Sequence, residues 1–300
     1  MDHILAVRGV RRLWRVRELP RELVLPEGFV PPEVPDPPVP PKDAATVMLV
    51  RDTDAGLEVF LMRRVLGMAF AGGMTVFPGG GVDRRDADTS LAWHGPSPAW
   101  WASRFACDVG LARALVCAAV RETFEESGVL LAGPSEDTVV SDVRPYAEAR
   151  AQLVNRELSM AGFLAEAGLV LRADLLRPWA DWVTPEEERR RFDARFFLAA
   201  LPSGQRADGA TTEAAEARWQ RPAEALEEWR AGRVGLLPPT WTTLAELEEC
   251  ASVADAMARE RTITRLMPRV VRDGDVLRIV LPGDPLYDEG AAHLEPGDRS

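Results

Sequence analysis

The stretch Arg121-Glu122-Thr123-Phe124-Glu125-Glu126-Ser127-Gly128 decides how this sequence is interpreted. Apolar residues recur at helical spacing over Leu111–Ser127, and Gly128 then supplies a residue suited to ending a helix. On that helix, Glu122, Glu125 and Glu126 occupy positions i, i+3 and i+4, which share one face. Three carboxylates on one face repel each other, and a hard divalent cation such as Mg²⁺ would remove that repulsion. Solvated acidic faces show the same spacing, so the surrounding sequence has to distinguish the two.

A glycine-rich run precedes this helix in the chain, at Phe77-Pro78-Gly79-Gly80-Gly81. Glycine has no Cβ, so its backbone N–H groups can approach an anion closely. A glycine loop that leads toward a helix with three aligned glutamates favours a metal site over a solvated face. We therefore expect Gly79, Gly80 and Gly81 to contact an anionic substrate.

Composition excludes several other classes of function. The net charge of -11 and the pI near 5.0 argue against binding to nucleic acid or to an anionic membrane. No apolar run reaches the roughly 20 residues that a membrane span needs, and no apolar signal segment follows the first arginines. The three cysteines lack CxxC spacing, which is typical of a reducing compartment. We expect a cytoplasmic protein.

The order of sequence patterns predicts one α/β domain with helical insertions. An Arg/Pro-rich extension covers 1–43, the domain covers 44–290 with insertions at about 84–110 and 135–185, and a tail covers 291–300. The remaining segments are predicted as β-strands at 44–50, 57–62, 74–77, 192–201 and 214–219, an irregular to helical stretch at about 135–180, helices at 222–229 and 240–259, and a hairpin at 270–281. The C-terminal helix and hairpin could form a homodimer contact.

With these residues in place, the sequence resembles the Nudix hydrolase superfamily, whose signature is G-x5-E-x7-R-E-U-x-E-E-x-G-U. Gly80 matches the first glycine, and the second half of the signature is matched by Arg121, Glu122, Glu125, Glu126, Gly128 and Val129. The resemblance implies an α/β/α sandwich with a mixed sheet.

The match to the signature has three departures. About 27 extra residues separate its two halves, and Thr123 takes the hydrophobic position. Counted back from Arg121, the earlier glutamate falls on Arg113. We expect either the loss of one outer carboxylate or a substitute such as Asp83 or Asp108.

The split signature narrows the resemblance to the peroxisomal coenzyme A diphosphatase branch of the family. Short segments in a shared order support it, namely Val76-Phe77-Pro78-Gly79-Gly80, Trp182-Val183-Thr184-Pro185, Arg190-Arg191-Phe192-Asp193, Leu237-Pro238-Pro239 and Leu281-Pro282-Gly283-Asp284-Pro285-Leu286-Tyr287. Arg63 and Arg64 lie near the coenzyme A motif of that branch and are candidates for substrate binding. Nudix folds usually add one late acidic ligand, for which Glu213 is the first candidate and Glu216 the second.

What the resemblance implies is Mg²⁺- or Mn²⁺-dependent hydrolysis of a pyrophosphate bond in a nucleoside diphosphate derivative. Glu122, Glu125, Glu126 and Glu213 would hold the metal, and Arg121 would orient a carboxylate. Coenzyme A or acyl-coenzyme A is the first choice of substrate, with 3′,5′-ADP and 4′-phosphopantetheine or its acyl form as products. NADH or ADP-ribose is an alternative substrate, and a non-catalytic nucleotide-sensing module is an alternative class. The general base is open between Glu125 and Glu213.

Overall fold

The structure, a computed structural model, describes residues 35–67, 71–211 and 214–289. Most of the predicted N-terminal extension, the tail and Glu213 lie outside these ranges. The strands are β1 Lys42–Thr53, β2 Gly56–Arg64, β3 Met74–Val76, β4 Gly79–Gly81, β5 Trp93–His94, β6 Ala132–Gly133, β7 Val170–Arg172, β8 Leu176–Val183, β9 Phe192–Ala200, β10 Ala214–Gln220, β11 Gly235–Leu236, β12 Arg265–Leu266, β13 Arg269–Asp273 and β14 Val276–Val280.

The helices are α1 Pro98–Phe105, α2 Val109–Ser127, α3 Ala147–Val154, α4 Met160–Ala167, α5 Pro222–Arg230, α6 Pro238–Glu248, α7 Val253–Ala258 and α8 Pro285–Glu289. A 3₁₀ turn at Arg84–Ala87 lies between β4 and α1. Among the described residues, no helix is long and apolar enough to cross a membrane.

A mixed sheet forms the centre of the larger unit, which comprises 40–183 and 190–265. Its strands run in the order β11-β3-β2-β1-β9-β8, with β10 paired to β2 and β4 paired to β1. The first strand, β1, runs parallel to β9 but antiparallel to β2 and β4. Consecutive residues of β1 point to opposite faces of the sheet. Val47 and Met48 are both fully buried, so both faces of the sheet are covered. The α/β class with a mixed sheet, predicted from the sequence, is confirmed.

The long helix α2 lies in the core of this unit. Its own apolar residues lie on almost every side of the helix, and such a helix has to be buried. It packs against β1 and α1, while its Phe124 ring stacks on Phe163 of α4 at a centroid distance of 5.6 Å. The sheet and two other helices thus pack against α2.

Most predicted elements are confirmed, and two need correction. The stretch 135–180 is helical only as far as α4, and β7 and β8 follow. Because β8 is buried on both faces, it lacks the alternation that distinguishes a strand from a helix. The predicted helix 240–259 is two helices, since the Ser252 side chain accepts a hydrogen bond from the Asp255 backbone N–H and so caps a new helix.

A second unit contains the described residues 35–39, 184–189 and 266–289. Its β13–β14 hairpin turns at Gly274, where φ is +60°, as Asp273-Gly274 predicts. Tyr287 of α8 donates a hydrogen bond to the Met267 carbonyl at 2.7 Å, and Arg269 stacks on its ring. The predicted domain limits of 44–290 remain a prediction.

Candidate active site

Both ends of α2 are fixed by the residues that flank it. At its start, the Asp108 side chain accepts the Leu111 N–H at 2.8 Å. At its end, Gly128 adopts a left-handed conformation with φ +71° and donates its N–H to the Phe124 carbonyl at 3.0 Å. Between these caps the helix presents Glu122 and Glu126 as buried carboxylates and Glu125 as a half-buried one. The predicted arrangement of three glutamates on one helix is therefore present.

Arg121 is the centre of the hydrogen bonds around these glutamates. Its Nη1 donates to Glu122 Oε1 at 2.7 Å and to Glu125 Oε1 at 3.2 Å. Its Nη2 donates to the Gly81 carbonyl at 2.9 Å. The remaining two bonds go to Asp86, from Nε at 3.0 Å and from Nη2 at 2.9 Å. Arg121 thus orients two of the glutamates while its other edge is bound by a buried aspartate.

Asp86 was missed in the sequence and takes the place of the earlier signature glutamate. Five residues separate Asp86 from Gly80, as the signature requires. Between Asp86 and Arg121 there are 34 residues where the signature has seven, so the 27 inserted residues follow Asp86. The count forward from Gly80 would have found it.

The two substitutes expected from sequence do not join the cluster. Asp83 caps the 3₁₀ turn and pairs with Arg85, and Asp108 caps α2. Arg113, on which the backward count fell, places its guanidinium over the Trp93 ring at 5.5 Å.

The glycine strand β4 is shaped around the glutamates. The Gly79 N–H donates to Glu126 Oε2 at 2.6 Å. A Cβ on Gly80 would lie 2.5 Å from Glu122 Oε1, so any side chain at position 80 would force that carboxylate to move. Gly81 has open space at the same position. The Gly79 N–H, predicted to contact an anionic substrate, is therefore bonded to the protein's own Glu126 carboxylate. A contact between β4 and a substrate remains a prediction.

Burial disfavours the charged forms of these glutamates. It raises the pKa of Glu122 to about 7, an effect that Arg121 opposes and Glu125 reinforces. Burial also raises the pKa of Glu125, again against Arg121. Burial acts to lower the pKa of Arg121, but hydrogen bonds and charge from its carboxylate partners, Asp86 foremost, raise it overall. Three carboxylates thus surround one guanidinium, and the Glu126 carboxylate lies on the same helix.

This excess of negative charge fits a divalent cation, and the donors fit the oxygen ligands that Mg²⁺ and Mn²⁺ prefer. In the part of the chain that the structure describes, no three acidic, histidine or cysteine side chains already converge on one point. Arg121 draws Glu122 and Glu125 to one side, whereas the Gly79 amide holds Glu126. Rotation of these side chains would be needed to bring the three carboxylates onto one ion.

The other predicted site residues lie on neighbouring strands. Arg63 Nη2, at the end of β2, lies 3.6 Å from Glu216 Oε2 of β10. Glu216, a candidate for the late acidic ligand, is thus paired with Arg63, a candidate for substrate binding. Arg64 follows Arg63, and its carbonyl accepts the Gly73 N–H. Glu213 lies outside the described residues, and its role remains a prediction.

Known proteins are similar to this chain over much of its length. The model of the NUDT19 Nudix domain matches residues 109–247, which include the whole of α2. The acyl-coenzyme A diphosphatase NUDT19 of Xenopus laevis is 27% identical over 275 residues, which cover 77% of this chain and 72% of the relative. The human protein of the same name is 29% identical over 320 residues, covering 91% and 81%.

A solved structure shows the same fold. The crystal structure of a NUDIX hydrolase from Alicyclobacillus acidocaldarius superposes with a TM-score of 0.63 at 27% identity. The superposition covers 75% of this chain and 98% of that protein.

Proposed function

The chain belongs to the Nudix hydrolase family, and we propose that it hydrolyses the pyrophosphate bond of coenzyme A or acyl-coenzyme A. The products would be 3′,5′-ADP and 4′-phosphopantetheine or its acyl form. The observation that carries the proposal is the set of three α2 glutamates, two bound by Arg121 and the third by the Gly79 N–H, in a chain similar to proteins named acyl-coenzyme A diphosphatases.

Glu122, Glu125 and Glu126 would hold Mg²⁺ or Mn²⁺, with Glu213 as a further ligand. The metal would neutralise charge on the diphosphate and make a nearby water more acidic. Arg121 keeps two of these carboxylates in place and is itself fixed by Asp86. Gly79 orients Glu126 through its N–H, and Gly80 leaves room for Glu122.

Hydrolysis needs a water that attacks one phosphorus while the bond from that phosphorus to the bridging oxygen breaks. The water oxygen forms the new P–O bond, the leaving phosphate departs with the bridging oxygen, and a water proton passes to a carboxylate. Glu125 and Glu213 are both proposed for that base. Glu125 is half-buried beside Arg121, which supports ionisation of its carboxylate against the cost of burial.

Arg63 and Arg64, at the end of β2, are proposed to bind the anionic substrate. The guanidinium of Arg63 is partly neutralised by Glu216 at 3.6 Å, an exposed pair that a phosphate group can displace at little cost. Three free cysteines are compatible with a cytoplasmic location. The location and a homodimer remain predictions.

The test is hydrolysis of coenzyme A, an acyl-coenzyme A, NADH and ADP-ribose side by side with Mg²⁺, with identification of the released phosphomonoesters. Coenzyme A or its acyl form should give the highest kcat/KM, with 3′,5′-ADP as product. A preference for NADH or ADP-ribose by orders of magnitude would contradict the proposed substrate. Specific binding without hydrolysis of any of the four would favour a nucleotide-sensing module.

A further inference from the structure

The last turn of α2, which carries Glu125 and Glu126, is tied to a loop far away in sequence. The final carbonyls of a helix lack partners within the helix and need donors from elsewhere. The Ser127 carbonyl receives its donor from the loop at 201–211, where the Asp208 N–H lies 2.8 Å away. The end of the proposed metal helix is therefore stabilised from outside.

The same loop is fastened to the chain that leaves α2. The buried Gln205 side chain accepts the Leu130 N–H at 2.8 Å and donates to the carbonyls of Leu130 at 2.9 Å and Val140 at 2.6 Å. These bonds fix the loop against the segment directly after Gly128. The Asp208 contact is therefore made from a fixed support.

Arg150 of α3 completes this junction. Its Nε donates to the Glu125 carbonyl at 3.1 Å. Its two terminal nitrogens bind the Asp208 carboxylate through two parallel hydrogen bonds, both at 2.9 Å. The Arg150 side chain is only 15% exposed. One guanidinium thus joins three segments, which are α3, the last turn of α2 and the loop.

Gly128 leaves the space that this junction occupies. A Cβ at Gly128 would lie 2.8 Å from Asp208 Oδ2 and 2.9 Å from Arg150 Nη1. The glycine that ends α2 is thus required both by its φ of +71° and by the guanidinium–carboxylate pair beside it.

We propose that Arg150 is a positioning residue, and that its clamp on Asp208 and Glu125 holds the last turn of α2 so that its glutamates can share a metal ion. Mutual repulsion of the glutamates acts to unwind that turn, and helix ends fray when their carbonyls lose partners. A metal site needs its ligands held within about 0.5 Å of the productive geometry. The inference rests on the proposed metal-dependent function.

The test compares Arg150→Ala with Arg144→Ala. Arg144 makes the same two-bond contact with Asp142, at 2.8 and 2.7 Å, but it is 89% exposed and both partners lie in one turn. Mn²⁺ affinity is measured on the whole chain by electron paramagnetic resonance, together with kcat at increasing Mn²⁺. We expect Arg150→Ala to weaken Mn²⁺ binding by about tenfold, the range seen when groups behind metal ligands are removed, and part of the lost activity to return at high Mn²⁺. Arg144→Ala should bind Mn²⁺ like the wild type.

A second measurement needs no metal. Amide hydrogen exchange at 125–128 should be faster in metal-free Arg150→Ala than in the wild type, and unchanged in Arg144→Ala. If Arg150→Ala folds poorly, Arg150→Lys keeps the charge without the planar two-bond geometry and should show a smaller loss of the same sign.

Equal Mn²⁺ affinity in Arg150→Ala and the wild type would overturn the proposal. The proposal would likewise be overturned by an equal loss in the Arg144→Ala control. If Arg150→Ala binds Mn²⁺ about tenfold more weakly than the wild type, but the wild type does not hydrolyse coenzyme A, the role of Arg150 is supported and the proposed substrate is contradicted.

Discussion

Replacement of Asp86 by alanine should disturb both the stability of the protein and its activity. Asp86 supplies two of the five hydrogen bonds that Arg121 makes. Asp86 is buried and Arg121 is largely so, with 2% and 11% of their side chains exposed. Removal of one partner of a buried ion pair costs about 3–5 kcal/mol. Because Arg121 retains Glu122 and Glu125 as partners, we expect a loss at the lower end, about 3 kcal/mol.

The loss of Asp86 should also move the metal ligands. Without it, the guanidinium of Arg121 is held only by the two glutamates and the Gly81 carbonyl, so it can pull Glu122 and Glu125 out of place. Groups that orient metal ligands typically contribute about 10–100-fold in affinity or activity. Asp86→Glu restores the residue type of the signature and should recover most of both quantities.

The assay combines urea unfolding with the Mg²⁺ dependence of kcat/KM. Asp83→Ala is the control, because Asp83 lies in the same turn but pairs with Arg85 rather than α2. That pair is partly exposed and should contribute no more than about 1 kcal/mol. If Asp86→Ala and Asp83→Ala lose equal stability and leave kcat/KM unchanged, Asp86 does not have the role assigned to it.

Two further predictions concern β4 and a buried carboxyl on β8. Gly80→Ala places a Cβ 2.5 Å from Glu122 Oε1, whereas the Cβ of Gly81→Ala enters open space. Steady-state assays should therefore find activity lost in Gly80→Ala and kept in Gly81→Ala. Equal activities of the two variants would contradict the steric argument. Burial raises the pKa of Asp181 to about 7, and a hydrogen bond from the protonated Asp181 carboxyl to Asp193 reinforces the effect. The stability from the protonated form of Asp181 is therefore fully present below pH 3.8 and is lost as the pH rises through 7. Asp181→Asn, neutral at every pH, should show a smaller fall of melting temperature between about pH 5 and 8 in calorimetry; a fall equal to that of the wild type would exclude Asp181 as its source.

The sequence was sufficient to predict α2 and its glutamates because all the signals are local. Apolar spacing, a terminal glycine and glutamates at i, i+3 and i+4 lie within one segment. The hairpin of β1 and β2 was predictable for the same reason, since the turn at 51–56 separates two apolar runs. The strand β8 was not, because burial on both faces removes the alternating pattern.

The parts of the site that were missed depend on contacts between distant residues. Asp86 lies 35 positions from Arg121, and only the forward count from Gly80 identifies it. Arg150 and Asp208 are 58 positions apart, and nothing near either residue in the sequence indicates the pair. The requirement for glycine at position 80 depends on where the Glu122 carboxylate lies, which is a property of the folded chain.

The central claim is that the α2 glutamates form the catalytic metal centre, and Glu126→Gln tests it most directly. Glutamine keeps an oxygen that can accept the Gly79 N–H, so the fold should be retained, but it removes the charge that binds the metal. Turnover of coenzyme A with Mg²⁺ is compared with Glu166→Gln, a change at an exposed position of α4. We predict that Glu126→Gln lowers turnover by at least about 100-fold, a larger loss than removal of a group that only orients metal ligands. Glu166→Gln should leave turnover unchanged. Wild-type turnover by a folded Glu126→Gln protein would contradict the metal assignment.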